Sequence, residues 1–454
     1  MHTPINLDPQ KEAIVNIETN RTLGKIRRLH GSNLAPYIGA QKIPSMDISE
    51  DLRSLDIPLT RLHDAPLNGC GMRLIDIHQI FPLFHLNHND SRNYYFDHTD
   101  DYIANCLATG TKINYRLGES IEHSLKQYFV HPPHDYEKWA EICCNIIAHY
   151  NEGWSNGFHH NIEYWTIWEE PNTVPFLWTG TWGDYIQLYV LTAKKIKHRF
   201  PMVKVGGPAM YGLGENQITE FLMECKRQQA PLDFFTWTMY ANNPDPFIQQ
   251  PEIARRILSK YGFENTELHL AEWHYIDPGW VNQREQTREK RLVFAKTMTG
   301  INSAACVTAT LSGLQDTPIT MANHYAGTAF DLFGLFDGVT YAPNKNYFAM
   351  KAFNLMTKYE NRIEVKSEAG DNIWVLAGRK VTGETAILIS CFKTKKREIV
   401  INFGNYKFNP DQCNVSVIDI GHDLTPMEHV KITGNAITLE KPAGSAVFLM
   451  EIMK

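Results

Sequence analysis

The chain has 454 residues, 43% of them hydrophobic, with 44 basic against 50 acidic side chains for a net charge of −6. At roughly 150 residues per domain, that length holds two or three domains, or one large barrel with an appendage. No basic excess exists to neutralise phosphates, which argues against nucleic acid as a partner, and 22 Phe, 20 Tyr and 10 Trp supply enough apolar surface to argue against disorder.

Residues 1–12 hold no apolar stretch after a basic start, so no secretory signal is read there. No apolar run of about eighteen residues occurs, and a membrane association is not expected. The cysteines at 70, 106, 143, 144, 225, 306, 391 and 413 form no CxxC and no disulfide framework. The expectation is a reduced, cytoplasmic protein, with homo-oligomer formation left open.

Residues 12–23 read as a strand. From there, short apolar strands alternate with amphipathic helices, which implies a parallel sheet with helical crossovers. Strands are expected near residues 28–30, 59–63, 112–115, 162–168, 203–205, 232–237, 268–273 and 319–323. Helices are expected near 97–109, 136–150, 184–200, 252–261, 287–301 and 346–358. In the second of these, Trp139, Ile142, Cys143, Ile146, Ile147 and Tyr150 form the stripe of a helix packed on one face. The strand at 203–205 is expected to stop at Gly206-Gly207-Pro208. Eight strands fit a (β/α)8 barrel over residues 25–359. After Tyr359 the helical period disappears, and residues 360–454 read as an antiparallel β-sandwich. The segment 1–24 is expected to join it, because termini often lie close together.

In such a barrel, chemistry sits where strands end. Two places stand out: Trp165-Thr-Ile-Trp168-Glu169-Glu170-Pro171-Asn172 and Leu268-His269-Leu270-Ala271-Glu272-Trp273. Each puts a Glu after an apolar strand and beside a Trp, on strands four and seven. Two carboxyl groups facing across a cleft are what glycoside hydrolysis needs. One protonates the leaving oxygen; the other attacks the anomeric carbon or activates water. Aromatic neighbours suit sugar faces and raise the pKa of the acid partner.

The segment WTIWEEPN resembles the W-N-E-P-N acid/base motif of retaining (β/α)8 glycosidases. The chain is most similar to glycoside hydrolase family 39, the β-xylosidase and α-L-iduronidase family. HGSNLAP (30–36), TRLHDA (60–65), residues 96–118, PPHDYEKWAEI (132–142), KVGGPAM (204–210), LAEW (270–273) and NKNYFAMKAFNLM (344–356) carry the likeness along most of the chain. The resemblance implies a TIM barrel with an accessory β-sandwich and no cofactor or metal. It implies Glu170 as general acid/base, Glu272 as nucleophile, and a covalent glycosyl-enzyme whose hydrolysis retains configuration. The carboxyl groups are then expected about 5–5.5 Å apart. The implied activity is that of an exo-acting, β-xylosidase-like hydrolase on an oligosaccharide or glycoside. An α-L-arabinofuranosidase or arabinobiosidase is the alternative within the clan, and a non-catalytic glycan-binding protein the alternative outside it.

Three positions depart from the family pattern. Glu169 stands where Asn is usual, Arg116 where many members have a third-strand Glu, and Thr238 where His is frequent. A pairing of Arg116 with Glu169 is one expectation. The strand-end residues Arg61, His63, Asp64, Arg116, Glu169, Tyr240, Trp273, His274, Asn323 and His324 are the candidate substrate contacts. Arg61 is expected to hold the nucleophile ionised. Trp182 is read either as a platform for a second sugar or as the anchor of a helix start. His85-x-x-His88 has two imidazoles at ligand spacing but no third partner, and is read as part of a loop rather than a metal site. The glycines at 206, 207, 212 and 214 lack dinucleotide-binding spacing.

Overall fold

A computed structural model describes residues 12–34, 36, 43–63, 73–276, 287–330, 332–367, 372–404, 410–441 and 443–453. The first strand is β1 (Glu12–Gly24). Eight strands then close a parallel barrel in chain order: β2 (His30–Asn33), β3 (Leu59–Leu62), β4 (Lys112–Leu117), β5 (Tyr164–Ile167), β6 (Lys204–Tyr211), β7 (Phe234–Ala241), β8 (Glu267–Tyr275) and β9 (Met321–His324). Helices cross over between them, as right-handed parallel connections require.

β6 does not stop at the glycines. It runs through Gly206 and Gly207, because the neighbouring strand leaves no room for a side chain: a Cβ on Gly206 would lie 2.3 Å from Phe234 O. Those residues serve close approach rather than a turn. A helix at Glu215–Gln228, absent from the sequence expectations, opens at Gly214 without a side-chain cap. The region expected as one helix at 287–301 is two, Arg288–Met298 and Ile301–Gly313.

The remaining strands form one ten-stranded sheet with β1. They are β10 (Asn361–Ser367), β11 (Ile373–Arg379), β12 (Thr385–Thr394), β13 (Glu398–Asn402), β14 (Cys413–Ile418), β15 (Asp423–Pro426), β16 (Lys431–Thr433), β17 (Ala436–Glu440) and β18 (Gly444–Ile452). The sheet is mixed rather than wholly antiparallel, because β1 runs parallel to β13 while pairing antiparallel with β10. It curls around its own core of Ile387, Ile389, Phe448 and Met450, among others. The alternate residues Leu388, Val447 and Leu449 join the barrel's core instead. With both faces covered, β12 is buried along nearly its whole length.

The helix Ile301–Gly313 lies between the two units. Residues 303–312 are all buried, and they are mostly small: Ser, Ala, Ala, Cys, Val, Thr, Ala, Thr, Leu, Ser. Small side chains let β12 approach closely enough for Ser390 Oγ to donate to Ala305 O at 2.6 Å. Among the described residues, no helix is long and apolar enough to cross a membrane.

Candidate active site

The chain leaves β5 at Ile167 through Trp168 (φ 67°) and Glu170 (φ 35°). Left-handed backbone at residues with bulky side chains is costly and persists only where the surroundings enforce it. Here Trp168 N donates to Leu117 O at 2.7 Å and Glu170 N to Ala209 O at 3.1 Å. The Trp168 indole donates to Leu177 O at 2.7 Å and packs edge-on against Trp178. The ring is therefore an anchor of the turn, buried in the core, and not a face for a sugar.

Glu272 is aimed by an irregularity in β8. Early in the strand, Glu267 and His269 face the barrel interior, reaching Tyr164 of β5 across it. Regular alternation would then put Ala271 inside and Glu272 outside. An extra residue intervenes: Trp237 and Thr238 of β7 pair with Leu270 and Glu272, skipping Ala271. This bulge inverts the phase, so Glu272 faces inward and Trp273 outward. The Asn33 amide of β2 donates to the carbonyl oxygens of Ala271 and Asn323, both at 3.0 Å, and holds the irregular segment in place.

The two carboxyl groups meet different surroundings. Glu272 Oε1 accepts from the Tyr240 hydroxyl. Its Oε2 lies 2.8 Å from His63 Nε2 and 3.8 Å from Arg61 Nη1. Glu170 accepts from Thr238 Oγ1 on one oxygen and from Thr173 Oγ1, at 2.9 Å, on the other. Burial, and after it the charge of Glu272, push the Glu170 carboxyl up to about 7; the two threonine hydrogen bonds pull it down by less. One group is set up to hold a proton near neutrality, and the other lies among a phenol, an imidazole and a guanidinium.

Beneath them, Glu169 forms an ion pair with Arg61 Nη2. Arg61 is fully buried and Glu169 nearly so. Arg61 Nη1 also donates to Asn33 Oδ1 at 3.3 Å. The expected pairing of Arg116 with Glu169 is thus replaced by Arg61 with Glu169. Strand register is the reason. Arg61 lies opposite Asn114 in the β3–β4 ladder, so Arg116 sits one inward step nearer the loops. There its Nη2 donates to Asp76 Oδ1 at 2.7 Å, to Ser120 Oγ at 2.9 Å and to the His63 carbonyl at 2.9 Å. Arg116 therefore supports His63 from behind.

Of the other expected contacts, Tyr240 and His63 reach Glu272 directly. Trp273 packs on Phe247 of an outer helix and His324, away from the pocket. Asn323 is an internal strut, its amide donating to Ser32 O at 3.1 Å and Leu59 O at 3.2 Å. His274 and His324 are fully buried and in ring contact with each other. Burial lowers His274 to about 4 and His324 well below the usual imidazole value, so both are neutral packing groups. Trp182 opens the helix Trp182–Arg199, donates to Gln217 O at 3.2 Å and packs on Tyr185, which makes it an anchor. Asp64 lies outside the described residues. Asn33 and Thr173 were missed by sequence reasoning. The strand-end position of Asn33 in HGSN was the available signal; nothing local marks Thr173.

Among the described residues, the groups of three or more side chains at ligand spacing are His63–Glu169–Glu272 and Asp76–His78–Glu119. His85 and His88 belong to neither. In the first group the acidic oxygens are engaged by Arg61, Tyr240 and His63. In the second, Glu119 accepts from His78, and Asp76 accepts from Arg116 and Ser120. Each group is an ion-pair network in its own right.

Residues 47–274, half of the chain, match the model for glycosyl hydrolases family 39. A β-xylosidase of Geobacillus stearothermophilus is 27% identical over 165 residues, 32% of this chain and 32% of the relative. The chain thus matches about a third of that relative's length. Among solved structures, a glucosidase from Croceicoccus marinus superposes with a TM-score of 0.76 at 21% identity, covering 98% of this chain and 99% of that one. A GH39 β-xylosidase from Caulobacter crescentus gives 0.67 at 18% identity over 97% of this chain and all of the other. These two likenesses concern the fold. With its family model matched across six barrel strands, β3 to β8, and both strand-end glutamates, the chain belongs to glycosyl hydrolases family 39.

Proposed function

We propose that the protein is a retaining, exo-acting glycoside hydrolase of β-xylosidase type, with Glu170 as general acid/base and Glu272 as nucleophile. The observation that carries this reading is the contrast between the two carboxyl groups: burial holds Glu170 protonated near neutrality, while Glu272 accepts from Tyr240 and has the His63 imidazole at 2.8 Å and the Arg61 guanidinium at 3.8 Å. In the first step Glu272 attacks the anomeric carbon as the glycosidic C–O bond breaks, and the Glu170 proton goes to the leaving oxygen. In the second, Glu170 takes a proton from water, whose oxygen attacks the same carbon and releases Glu272. The name of the Geobacillus relative supports a xyloside as substrate. The presence of both carboxyl groups weighs against a non-catalytic role.

The test is chemical rescue. Glu170→Ala is expected to lose most activity on xylosides with poor leaving groups. Azide should restore turnover on an activated aryl β-D-xyloside, giving a glycosyl azide of retained configuration, because the small anion takes the place of the missing base. A product of inverted configuration would overturn the retaining assignment.

The pH profile gives a second expected result. Glu170 must carry its proton in the first step, so kcat/KM should fall as pH rises through about 7. The Thr238 hydrogen bond stabilises the charged form. Thr238→Val removes it, raises the Glu170 pKa, and should move the falling limb to higher pH. A limb moved to lower pH in that variant would contradict the Thr238–Glu170 contact.

A further inference from the structure

An open cavity of about 820 Å³ lies at the loop end of the barrel. Its lining includes the apolar Leu125, Pro175, Phe176, Phe330, Leu332 and Phe333 together with the polar His123, Ser124, Gln127 and Arg291, and among the described lining residues there is no carboxylate. Two of its walls adjoin residues that touch the reacting groups. Phe333 packs against the Tyr240 ring at 5.7 Å, and Tyr240 donates to Glu272. Pro175 and Phe176 follow the turn that carries Glu170 and Thr173.

The apolar rim is built rather than incidental. Glu122 accepts from the backbone N–H groups of Tyr128, Phe129 and Val130 at 2.9–3.2 Å, closing the loop that bears Leu125. Glu122 N donates to Phe176 O at 2.9 Å and ties that loop to the next one. Ser124 Oγ and the Gln127 amide fasten the turn around Leu125. This well-bonded turn holds Leu125 fully exposed, and Phe176 and Phe330 are also exposed. Ordered apolar side chains clustered around a cavity mark a binding site for apolar matter.

Resting on the assignment of Glu170 as the acid, we propose that this cavity is the leaving-group site and that it takes an apolar aglycone, an alkyl or aryl alcohol, in preference to a second sugar. The acid must stand beside the leaving oxygen, so the aglycone extends outward from Glu170. On that path it meets Phe176, Phe333, Phe330 and Leu125. A sugar acceptor needs a set of hydrogen-bonding partners for its hydroxyls; of the polar lining residues, Ser124 and Gln127 donate within the Leu125 turn and His123 packs against the Phe176 ring, so apolar side chains dominate the path.

n-Octyl and methyl β-D-xyloside separate the possibilities, because the two leaving alcohols have similar acidity and differ in apolar length. The octyl glycoside should have the higher kcat/KM, by about tenfold or more. The octyl-to-methyl ratio should fall several-fold in Phe330→Ala and in Leu125→Ser, with the xylobiose-to-methyl ratio unmoved. An octyl-to-methyl ratio near one, or a fall shared equally by xylobiose, would overturn the proposal while leaving the hydrolase reading intact. Should neither xyloside be hydrolysed, the hydrolase reading fails separately. Isothermal titration calorimetry with the octyl glycoside then decides on the cavity: weaker binding to Phe330→Ala upholds it, and equal binding overturns it.

Discussion

Glu272→Ala is expected to lower kcat/KM on aryl β-D-xylosides by about 10³-fold or more, equivalent to about 4 kcal/mol of lost transition-state stabilisation. Three side chains from three places in the barrel converge on this one carboxylate: Tyr240 from β7, His63 from the end of β3 and Arg61 from β3 itself. Such convergence fixes the direction of attack, and alanine removes the carboxylate assigned to form the glycosyl ester. The same substitution has a second consequence. The Glu272 charge is one of the causes that raise Glu170, so in its absence the Glu170 pKa should drop. Whatever activity remains should then decline at lower pH than in the wild type. Turnover at the wild-type level would remove Glu272 from the nucleophile role.

Arg61→Ala is expected to destabilise the fold by about 3–5 kcal/mol, read from chemical denaturation. The arginine is fully buried and is the cation that faces both Glu169 and Glu272. Its removal leaves two carboxylates in a low-dielectric interior, with Glu170 close by and already raised by its neighbour. Adding Glu169→Gln removes one of the stranded charges, so the double variant should recover part of the loss. The coupling between the two positions is then large, since they form one network. A cost under about 1 kcal/mol for Arg61→Ala would mean that the pair is not a buried ion pair in solution.

Much of this architecture was legible in the chain. The barrel strands announce themselves as short apolar runs separated by helical stripes, and such runs survive in sequence because each is buried on both sides. The strand-end placement of Glu170 and Glu272 was legible because each follows a short apolar run. What was not legible depended on contacts between distant segments. The glycines of β6 read as a stop, because a sequence does not say how near Phe234 O will come. Trp168 and Trp273 read as sugar platforms because they adjoin the glutamates in the chain. Strand alternation sends Trp273 outward, and the left-handed turn sends Trp168 into the core. The pairing considered for Glu169 named Arg116 where the structure has Arg61, since two arginines on neighbouring strands differ only by register. The short polar strands β15 and β16 carry too little pattern to be found at all.

The helix Ile301–Gly313 has a consequence for how the molecule comes apart. In an isolated barrel a crossover helix keeps one flank in water, which is what permits polar residues there. This one has small residues on every side and β12 against its outer flank. Its sequence therefore has no solvated state to fall back on inside a folded barrel. Peeling the ten-stranded sheet away would leave a seam of alanine, serine and threonine with neither bulk to shield it nor charge to dissolve it. The barrel and the sheet are accordingly one cooperative unit: heat or denaturant that loosens the second releases the crossover between β8 and β9, and with it the strand that carries Glu272.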